Sequence, residues 1–453
     1  MTARPEVQRA RSILPFSTFL AFRKNPLEFL SATAEKYGDA VEMRFGPQRV
    51  FFLNHPDLVR DVLVTYDPLF MKGRGLERAK RLLGEGLLTS EGEFHRRQRR
   101  LMQPAFHRQR IQSYGAVMTE HADRLRQRWT DGDVLAIDQE MMRLTLSIVA
   151  KTLFGTDWAN QADEIGQALS TAMQQWRRMM LPFAEYLEKL PLPSNRRFAR
   201  TRQKLDSIVY SLIEERRREG KDRGDLLSML LEAQDVEGDG SRMSDLQLRD
   251  ELLTLALAGH ETTSNALTWT WYLLSQSPQA ESRFHAEIDT VLRGRLPTID
   301  DIPKLTYTEN VFAESMRLYP PAWIIGRRAL KDCQLSTCRI PAGSFVLLSP
   351  FVMHRDSRFF ANPLQFDPDR WSPELKASRP KFSYFPFGGG SRQCIGEAFA
   401  WMEGVLLLAT LGARWHMRLV PGHPVFLQPL VTLRPRFGMK MTVGKRSKDL
   451  ASP

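Results

Sequence analysis

The chain has 453 residues, and its 64 Lys and Arg against 52 Asp and Glu give a formal net charge of +12 at pH 7. Three cysteines are too few for a disulfide framework at this length, so we expect free thiols and a reducing, cytoplasmic location. The densest basic run, HRRQRR at 95–100, lacks the interleaved aromatics and glycine motifs of nucleic-acid modules, which argues against nucleic-acid binding.

The N-terminal residues contain several arginines and no apolar stretch, so no secretory leader is expected. An amphipathic pattern over 13–22 fits a core-facing helix or, less well, a contact with a membrane surface. The apolar run at 404–413 is far shorter than the ~20 residues that cross a bilayer, so we expect no transmembrane anchor.

Periodicity predicts a mainly helical protein with small β-sheets, in one domain over 1–453. Two alternating runs, 40–45 and 49–53, flank a Gly-Pro turn and predict a hairpin. Amphipathic helices are predicted at 117–129, 141–153, 165–180, 198–218 and 226–231, and late strands at 338–340, 345–348, 431–433 and 439–443. The helix-rich core thus covers about 90–330 and 384–415, the β-rich parts cover about 38–55, 325–350 and 417–443, and 444–453 is a flexible tail.

The longest periodic segment runs from Ser244 to about Ser277, and Ser244 with Gln247 fits a capping box. A helix of this length is about 50 Å long, enough to cross a whole domain. Its middle reads AGHETT at 258–263, so a carboxylate and two hydroxyls stand among Leu, Ala and Trp. Burying these groups is costly unless they have partners, so this segment either binds something polar or takes part in chemistry.

Cys394 lies in the loop FGGGSRQCIG at 387–396, surrounded by glycines and followed by a helix predicted to begin at Ile395. A cysteine that only fills space needs no such neighbours. A nucleophile would require a base such as His354, and a zinc site would require a second pair besides Cys333 and Cys338. Packing, nucleophilic catalysis and metal ligation therefore all remain possible roles for Cys394 at this point.

Four separated motifs then follow a recognisable order along the chain. They are AGHETT at 258–263, Glu314-x-x-Arg317, FDPDRW at 366–371 and the loop at 387–396. Together they strongly resemble the cytochrome P450 family, and the resemblance covers nearly the whole chain. It implies a soluble, bacterial-type haem monooxygenase, with haem b (iron protoporphyrin IX) between the long central helix and the helix after the cysteine loop.

The resemblance assigns roles in the cysteine loop and the central helix. Cys394 corresponds to the iron ligand, Phe387 shields its sulfur, Arg392 reaches a haem propionate, and Gly396 lets the backbone bend around the sulfur. In the central helix, Glu261 and Thr262 match the acid–alcohol pair that carries protons to bound dioxygen, beside a helix opening expected near Gly259. A kink with no catalytic part remains the alternative.

The resemblance also implies structural and cofactor-binding residues elsewhere. Glu314, Arg317 and Arg370 would form a buried charge network. His95-x-x-x-Arg99 stands where the family usually has Trp-x-x-x-Arg, and Arg327 fits a second propionate site, with Arg328 as an alternative one residue away. Phe70 to Leu88 is expected to be a loop that lines the substrate pocket.

The implied pocket is apolar and suits a small lipophilic substrate such as a fatty acid, terpenoid, steroid or polyketide. Its expected lining comprises Leu88, Met180, Phe183, Ala258, Ala322, Trp323 and Ile324. Since no flavin or iron–sulfur motif is present, electrons for O2 would come from a ferredoxin or flavodoxin with an NAD(P)H-dependent reductase. Arg96, Arg97 and Arg100 would face that partner or simply be solvated.

The protein is expected to be a monomer. A peroxide-driven peroxygenase, a haem-thiolate isomerase and a non-catalytic haem sensor are the alternative functions. The first two tend to lack the acid–alcohol pair, and the third has little need of an apolar pocket.

Overall fold

The structure is a computed structural model that describes residues 7–10, 17–156, 190, 192–235 and 240–446. Within those ranges the α-helices are α1 Ser17–Lys24, α2 Pro26–Tyr37, α3 Pro56–Arg60, α4 Arg74–Leu83, α5 Gly92–Met102, α6 Arg108–Arg128, α7 Ile137–Phe154, α8 Pro193–Glu219, α9 Leu226–Glu232, α10 Asp245–Gln276, α11 Pro278–Leu292, α12 Thr306–Leu318, α13 Pro350–Met353, α14 Pro373–Ser378 and α15 Glu397–Gly412. None of them is both long and apolar enough to cross a membrane.

Short strands form four small sheets around the helices. They are β1 Gln8–Arg9, β2 Ala40–Phe45, β3 Gln48–Leu53, β4 Phe70–Lys72, β5 Val134–Ala136, β6 Ile325–Ala329, β7 Cys333–Gln334, β8 Arg339–Ile340, β9 Phe345–Leu348, β10 Trp415–Leu419, β11 Leu427–Pro429, β12 Leu433–Pro435 and β13 Lys440–Lys445. The largest sheet has the order β1-β2-β3-β9-β6-β4, and the others are β10-β13-β5, β11-β12 and β7-β8. The fold is mainly helical with small sheets, as the sequence predicts.

The central helix is α10, which packs against α7, α8, α12 and α15. It begins at a full capping box, in which Ser244 and Gln247 each bond the other's backbone. Almost every residue between Leu248 and Trp271 is buried, including the indole rings of Trp269 and Trp271. Because α10 is buried around its whole circumference, it lies in the middle of the molecule, and its polar side chains need partners there.

Several predicted elements need correction or lie outside the described residues. The segment 70–88 is not a plain loop, because it contains β4 and α4. Residues 431–433 do not form a strand of their own; the hairpin turns at 430–432 between β11 and β12. The helix predicted at 165–180 lies outside the described residues. The predicted hairpin at 40–53 is present as β2 and β3, with Val41 opposite Phe52.

Candidate functional site

The cysteine loop, residues 387–396, is held tightly against the first third of the chain. Gly390 has φ +68°, and a Cβ at this position would lie 1.7 Å from the carbonyl oxygen of Leu63, so only glycine fits. The Cys394 N–H donates to the Phe387 carbonyl at 3.0 Å, which closes the loop. Helix α15 begins at Glu397 with Gly396 as its N-cap, two residues later than predicted.

Cys394 has many protein atoms around it, yet its side chain keeps accessible surface. The thiol therefore lies in a recess of the protein, which is called the cavity below. Burial raises the pKa of the thiol to about 11, and the Gly396 N–H and the Arg99 charge oppose this only in part. The surrounding protein therefore does not hold a thiolate by itself, whereas a coordinated metal cation would deprotonate the sulfur.

The middle of α10 also keeps accessible surface. Between Leu248 and Trp271 only Ala258, Gly259 and Thr262 are not fully buried. The helix continues through this point, and the expected opening near Gly259 is not a break in α10. Instead the Thr262 hydroxyl donates to the Ala258 carbonyl at 2.7 Å, a bond that often bends a helix slightly.

Four basic side chains converge beside the cavity: Lys72, His95, Arg327 and Arg392. Lys72 on β4 and Arg327 on β6 are cross-strand partners, so their side chains share one face of the sheet. Burial, followed by the charges of Lys72 and Arg392, lowers the pKa of His95 to about 3. Burial and the charge of Arg392 lower the pKa of Lys72 to about 7. The cluster therefore carries an excess of buried positive charge.

Two of these cations retain unsatisfied donors. Arg327 Nε and Arg392 Nη1 are buried, and neither finds an acceptor among the described residues. Glu91 accepts from the Arg392 Nη2 and from the Lys72 backbone N–H, and so offsets part of the charge. An accessible thiol, an accessible hydroxyl on α10 and buried guanidinium N–H groups without acceptors fit a flat, iron-bearing macrocycle with two carboxylates.

The structure distinguishes the two candidate arginines in β6. Arg327 is buried and faces the basic cluster, whereas Arg328 points to the opposite face and pairs with Glu77 at 2.8 Å. Arg99 is turned toward the cysteine loop, where its Nη1 donates to the Gln393 carbonyl at 2.7 Å. Of the proposed propionate residues, His95, Arg327 and Arg392 thus form one group, and Arg99 supports the loop beside Cys394.

Glu261 is buried, and its carboxylate contacts a hairpin distant in sequence. Arg434 donates to Glu261 Oε1 from Nε at 2.9 Å and lies 2.6 Å away through Nη2, and the Thr432 hydroxyl also donates to Oε1. Sequence reasoning missed Arg434, Thr432 and Lys72. Only Lys72 left a local signal, as a lysine in an otherwise apolar strand.

The expected network around Glu314 is present and complete. Glu314 and Arg317 are entirely buried and form two bonds of 2.8 Å through Arg317 Nε and Nη2. Arg370 Nε donates to the same carboxylate at 3.1 Å, and the indole of Trp371 donates at 3.0 Å. The remaining Arg317 donors bond backbone carbonyls, including that of His354. This network joins α12 to the segment that precedes the cysteine loop.

The expected pocket residues fall into three groups. Leu88, Ala258, Ala322 and Ile324 are each partly exposed, as pocket-lining residues would be. Trp323 is instead buried among the side chains packed on Phe351 and Leu433, and its indole donates to the Leu430 carbonyl at 2.9 Å. Trp323 therefore anchors the hairpin rather than lining the cavity. Met180 and Phe183 lie outside the described residues.

Neither alternative role for Cys394 finds support among the described residues. His354 is fully buried, and its Nε2 accepts the Phe385 N–H at 3.0 Å rather than contacting the thiol. Burial lowers the pKa of His354 well below its ordinary value. In the described part of the chain no group of three or more His, Cys, Asp or Glu side chains is arranged to hold a metal ion.

The basic residues of α5 are less available than the sequence suggests. Arg97 and Arg100 both pair with the buried carboxylate of Asp235, at 3.3 Å and 2.7 Å. Arg96 is well exposed and pairs with Glu93 one turn away. Arg96 and Arg100 keep exposed side chains, whereas Arg97 is largely covered.

Comparisons with known proteins agree with this geometry. The family described as Cytochrome P450 matches residues 8–437. Cyclooctatin synthase of Streptomyces melanosporofaciens is 43% identical over 94% of this chain and 91% of its own length. Cyclooctat-9-en-7-ol 5-monooxygenase of the same organism is 40% identical over 89% and 87%. Pentalenene oxygenase of Streptomyces avermitilis is 38% identical over 90% and 91%.

Proposed function

The chain belongs to the cytochrome P450 family and is a monooxygenase, and from this premise we propose that it oxidises a terpene. The observation that carries the proposal is the similarity to two oxygenases, cyclooctat-9-en-7-ol 5-monooxygenase and pentalenene oxygenase, over about nine-tenths of the chain. The reaction of the family inserts one atom of O2 into the substrate and releases the other as water, using two electrons and two protons.

The described pocket residues support a substrate without charged groups. Leu88, Ala258, Ala322 and Ile324 offer only hydrocarbon surface to the cavity. A cyclic hydrocarbon or a cyclic alkenol would bind there by burying apolar area, and none of the four described lining residues carries a charge that selects a carboxylate. This favours a terpene over a fatty acid among the lipophilic classes that the sequence allows.

The cofactor is a haem iron, and we assign it as haem b held by Cys394. When bound, the group supplies the iron centre that activates dioxygen, with an electron-rich thiolate behind it. The protein contributes the sulfur on one side and the unpaired donors of Arg327 and Arg392 at the propionate edge. Because burial keeps His95 neutral, His95 would donate a neutral hydrogen bond to a propionate.

Glu261 and Thr262 are proposed to deliver protons at the distal side. Thr262 borders the cavity, and its hydroxyl is tethered to the Ala258 carbonyl at 2.7 Å. A hydroxyl at this position can donate to a reacting oxygen and receive a proton from an acid nearby. Glu261 precedes it in the same turn and is the acid of the pair.

Electrons come from a redox partner, and a ferredoxin or flavodoxin with an NAD(P)H-dependent reductase is the proposed source. The thiolate side of the site lies next to α5, where Arg96 is exposed. An acidic surface on the partner would complement this charge. The partner's identity follows from comparing turnover with each carrier.

The substrate proposal is tested by adding pentalenene, cyclooctat-9-en-7-ol and, as a control, palmitate to the purified haem protein. A terpene that enters the cavity should displace iron-bound water and shift the Soret band, and it should then be oxygenated with NADPH, reductase and ferredoxin. Binding and oxidation of palmitate alone would contradict the proposal. Turnover with hydrogen peroxide in place of the carriers would identify a peroxygenase instead.

The thiolate assignment has its own spectroscopic test. Carbon monoxide added to the reduced protein should give the strongly red-shifted Soret band of sulfur-anion ligation, and Cys394→His should abolish that band. A protein that keeps the band after this substitution would disprove the role of Cys394.

A further inference from the structure

The acid of the proposed proton relay is bound to a part of the chain that no motif marks. Glu261 on α10 is 2% exposed, and Thr432 and Arg434 belong to the β11–β12 hairpin some 170 residues later. A buried carboxylate without a counter-charge is strongly disfavoured, and Arg434 on the hairpin supplies that counter-charge to Glu261.

The hydrogen bonds at Glu261 have a defined donor and acceptor. Asn265 Nδ2 donates to Thr432 Oγ1 at 3.1 Å, so the Thr432 hydroxyl points its proton at Glu261 Oε1. Arg434 approaches the same oxygen through Nε and Nη2. Among the described residues no donor reaches the second oxygen, Oε2. One oxygen of the carboxylate is thus fixed, and the other is left to exchange a proton.

The hairpin that carries these residues is itself anchored. The indole of Trp269 on α10 donates to the Leu433 carbonyl at 3.0 Å, and the indole of Trp323 donates to the Leu430 carbonyl at 2.9 Å. The Leu433 N–H donates to the Pro321 carbonyl at 3.0 Å. Leu430 at the turn is partly exposed, as are the expected pocket residues Ala322 and Ile324. The same hairpin therefore adjoins both the pocket wall and the relay acid.

We propose that Arg434 and Thr432 are positioning residues of the proton relay, which hold and orient the Glu261 carboxylate through Oε1 so that Oε2 passes protons. This inference rests on the proposed function of Glu261. Arg434 is half-buried, with 16% of its side chain exposed, and so stands between the buried acid and solvent. Proton delivery then depends on the state of the hairpin as well as on α10.

The test compares Arg434→Gln, Arg434→Lys and Thr432→Val with Glu261→Gln and with the double variant Glu261→Gln/Arg434→Gln. Arg436→Gln is the matched control, since Arg436 is exposed on the same segment and carries the same charge. Each variant is prepared as the haem protein and supplied with NADPH, reductase, ferredoxin and cyclooctat-9-en-7-ol. Product, hydrogen peroxide and NADPH are quantified in ordinary and deuterated water, and substrate affinity is taken from the Soret shift.

Arg434→Gln should lower the product formed per NADPH on the order of tenfold, part of the hundredfold or more that acid–base catalysis contributes. It should raise hydrogen peroxide correspondingly, enlarge the solvent isotope effect and leave substrate affinity unchanged. Arg434→Lys should restore most of the loss, and Thr432→Val should show the same defect more weakly. In the Glu261→Gln background, Arg434→Gln should change coupling by less than about twofold, since both act through one group.

The outcomes distinguish the positioning role of Arg434 and Thr432 from the proton relay through Glu261. If Glu261→Gln leaves coupling unchanged, the relay itself is disproved. If Glu261→Gln impairs coupling but Arg434→Gln and Thr432→Val do not, the relay stands and the positioning role falls. Losses of coupling that add in the double variant would likewise overturn the positioning role. If Arg434→Gln does not incorporate haem, the positioning role is decided by product, hydrogen peroxide and NADPH measured for Thr432→Val.

Discussion

Replacing Glu314 with glutamine tests whether a single buried carboxylate is required for the haem protein to assemble. Glu314 accepts hydrogen bonds from two arginines, from the Trp371 indole and from the Asp367 N–H. The substitution removes the counter-charge of two buried guanidinium groups and turns an amide donor toward them. Breaking one buried pair costs about 3–5 kcal/mol, against a total stability of about 5–15 kcal/mol.

We therefore expect Glu314→Gln to lower the unfolding free energy by at least about 3–5 kcal/mol and to give little or no haem-loaded protein. The assay is the haem-to-protein ratio of the purified variant, with denaturant unfolding followed by circular dichroism. Glu309→Gln is the matched control, because Glu309 is exposed on the same helix, α12, and should change stability by less than about 0.5 kcal/mol. Full haem loading of Glu314→Gln with an unchanged midpoint would refute the reasoning.

Three further predictions follow from the described contacts. Thr262→Ala should keep haem and substrate affinity but divert most electrons to hydrogen peroxide. Thr270→Ala is the control, because it removes a similar hydroxyl–carbonyl bond farther along α10 and should leave coupling intact. Equal product per NADPH in both variants would contradict the relay. Arg327→Ala should speed haem transfer to apomyoglobin by about tenfold to a hundredfold, because charge-assisted bonds to a propionate are lost. Arg328→Ala, whose arginine pairs with Glu77, should speed the transfer by less than about twofold. Equal rates in the two variants would argue against Arg327 as the propionate residue. Burial and neighbouring positive charge lower the pKa of His285 to about 3, so the unfolded chain takes up a proton below about pH 6.5 that the folded chain does not. The unfolding free energy should then fall by about 1.4 kcal/mol per pH unit on acidification because of this group. His285→Gln should make the denaturant midpoint less dependent on pH between pH 6.5 and 4.5. An unchanged pH dependence in this variant would disprove the prediction.

Much of the site was predictable because its chemistry is local in sequence. The cysteine loop is a run of ten residues in which Gly390, Arg392, Cys394 and Gly396 occupy fixed positions relative to the sulfur. Glu314 and Arg317 lie one helical turn apart, so their pairing follows from α-helix geometry. The capping box at Ser244 fixed the start of α10 for the same reason.

Other residues joined the site through contacts between distant segments. Lys72 meets the basic cluster because β4 pairs with β6 in a register that sets it opposite Arg327. Trp323 was expected in the pocket, but its ring is buried and its indole donates to the Leu430 carbonyl of the hairpin. Arg97 and Arg100 were expected to face a partner, yet Asp235 pairs with both.

The sequence by itself determined the family, the ligand loop, the central helix and the buried charge network, since each depends on residues within a few positions of one another. The tertiary structure alone decided which cations surround the cavity, which of Arg327 and Arg328 faces it, and what holds Glu261. Side-chain partners from different elements are set by strand register and packing, because a one-residue shift reverses the face on which a strand residue lies. The long-range pairing of Glu261 with Thr432 and Arg434 is of this kind, and it left no pattern in the sequence.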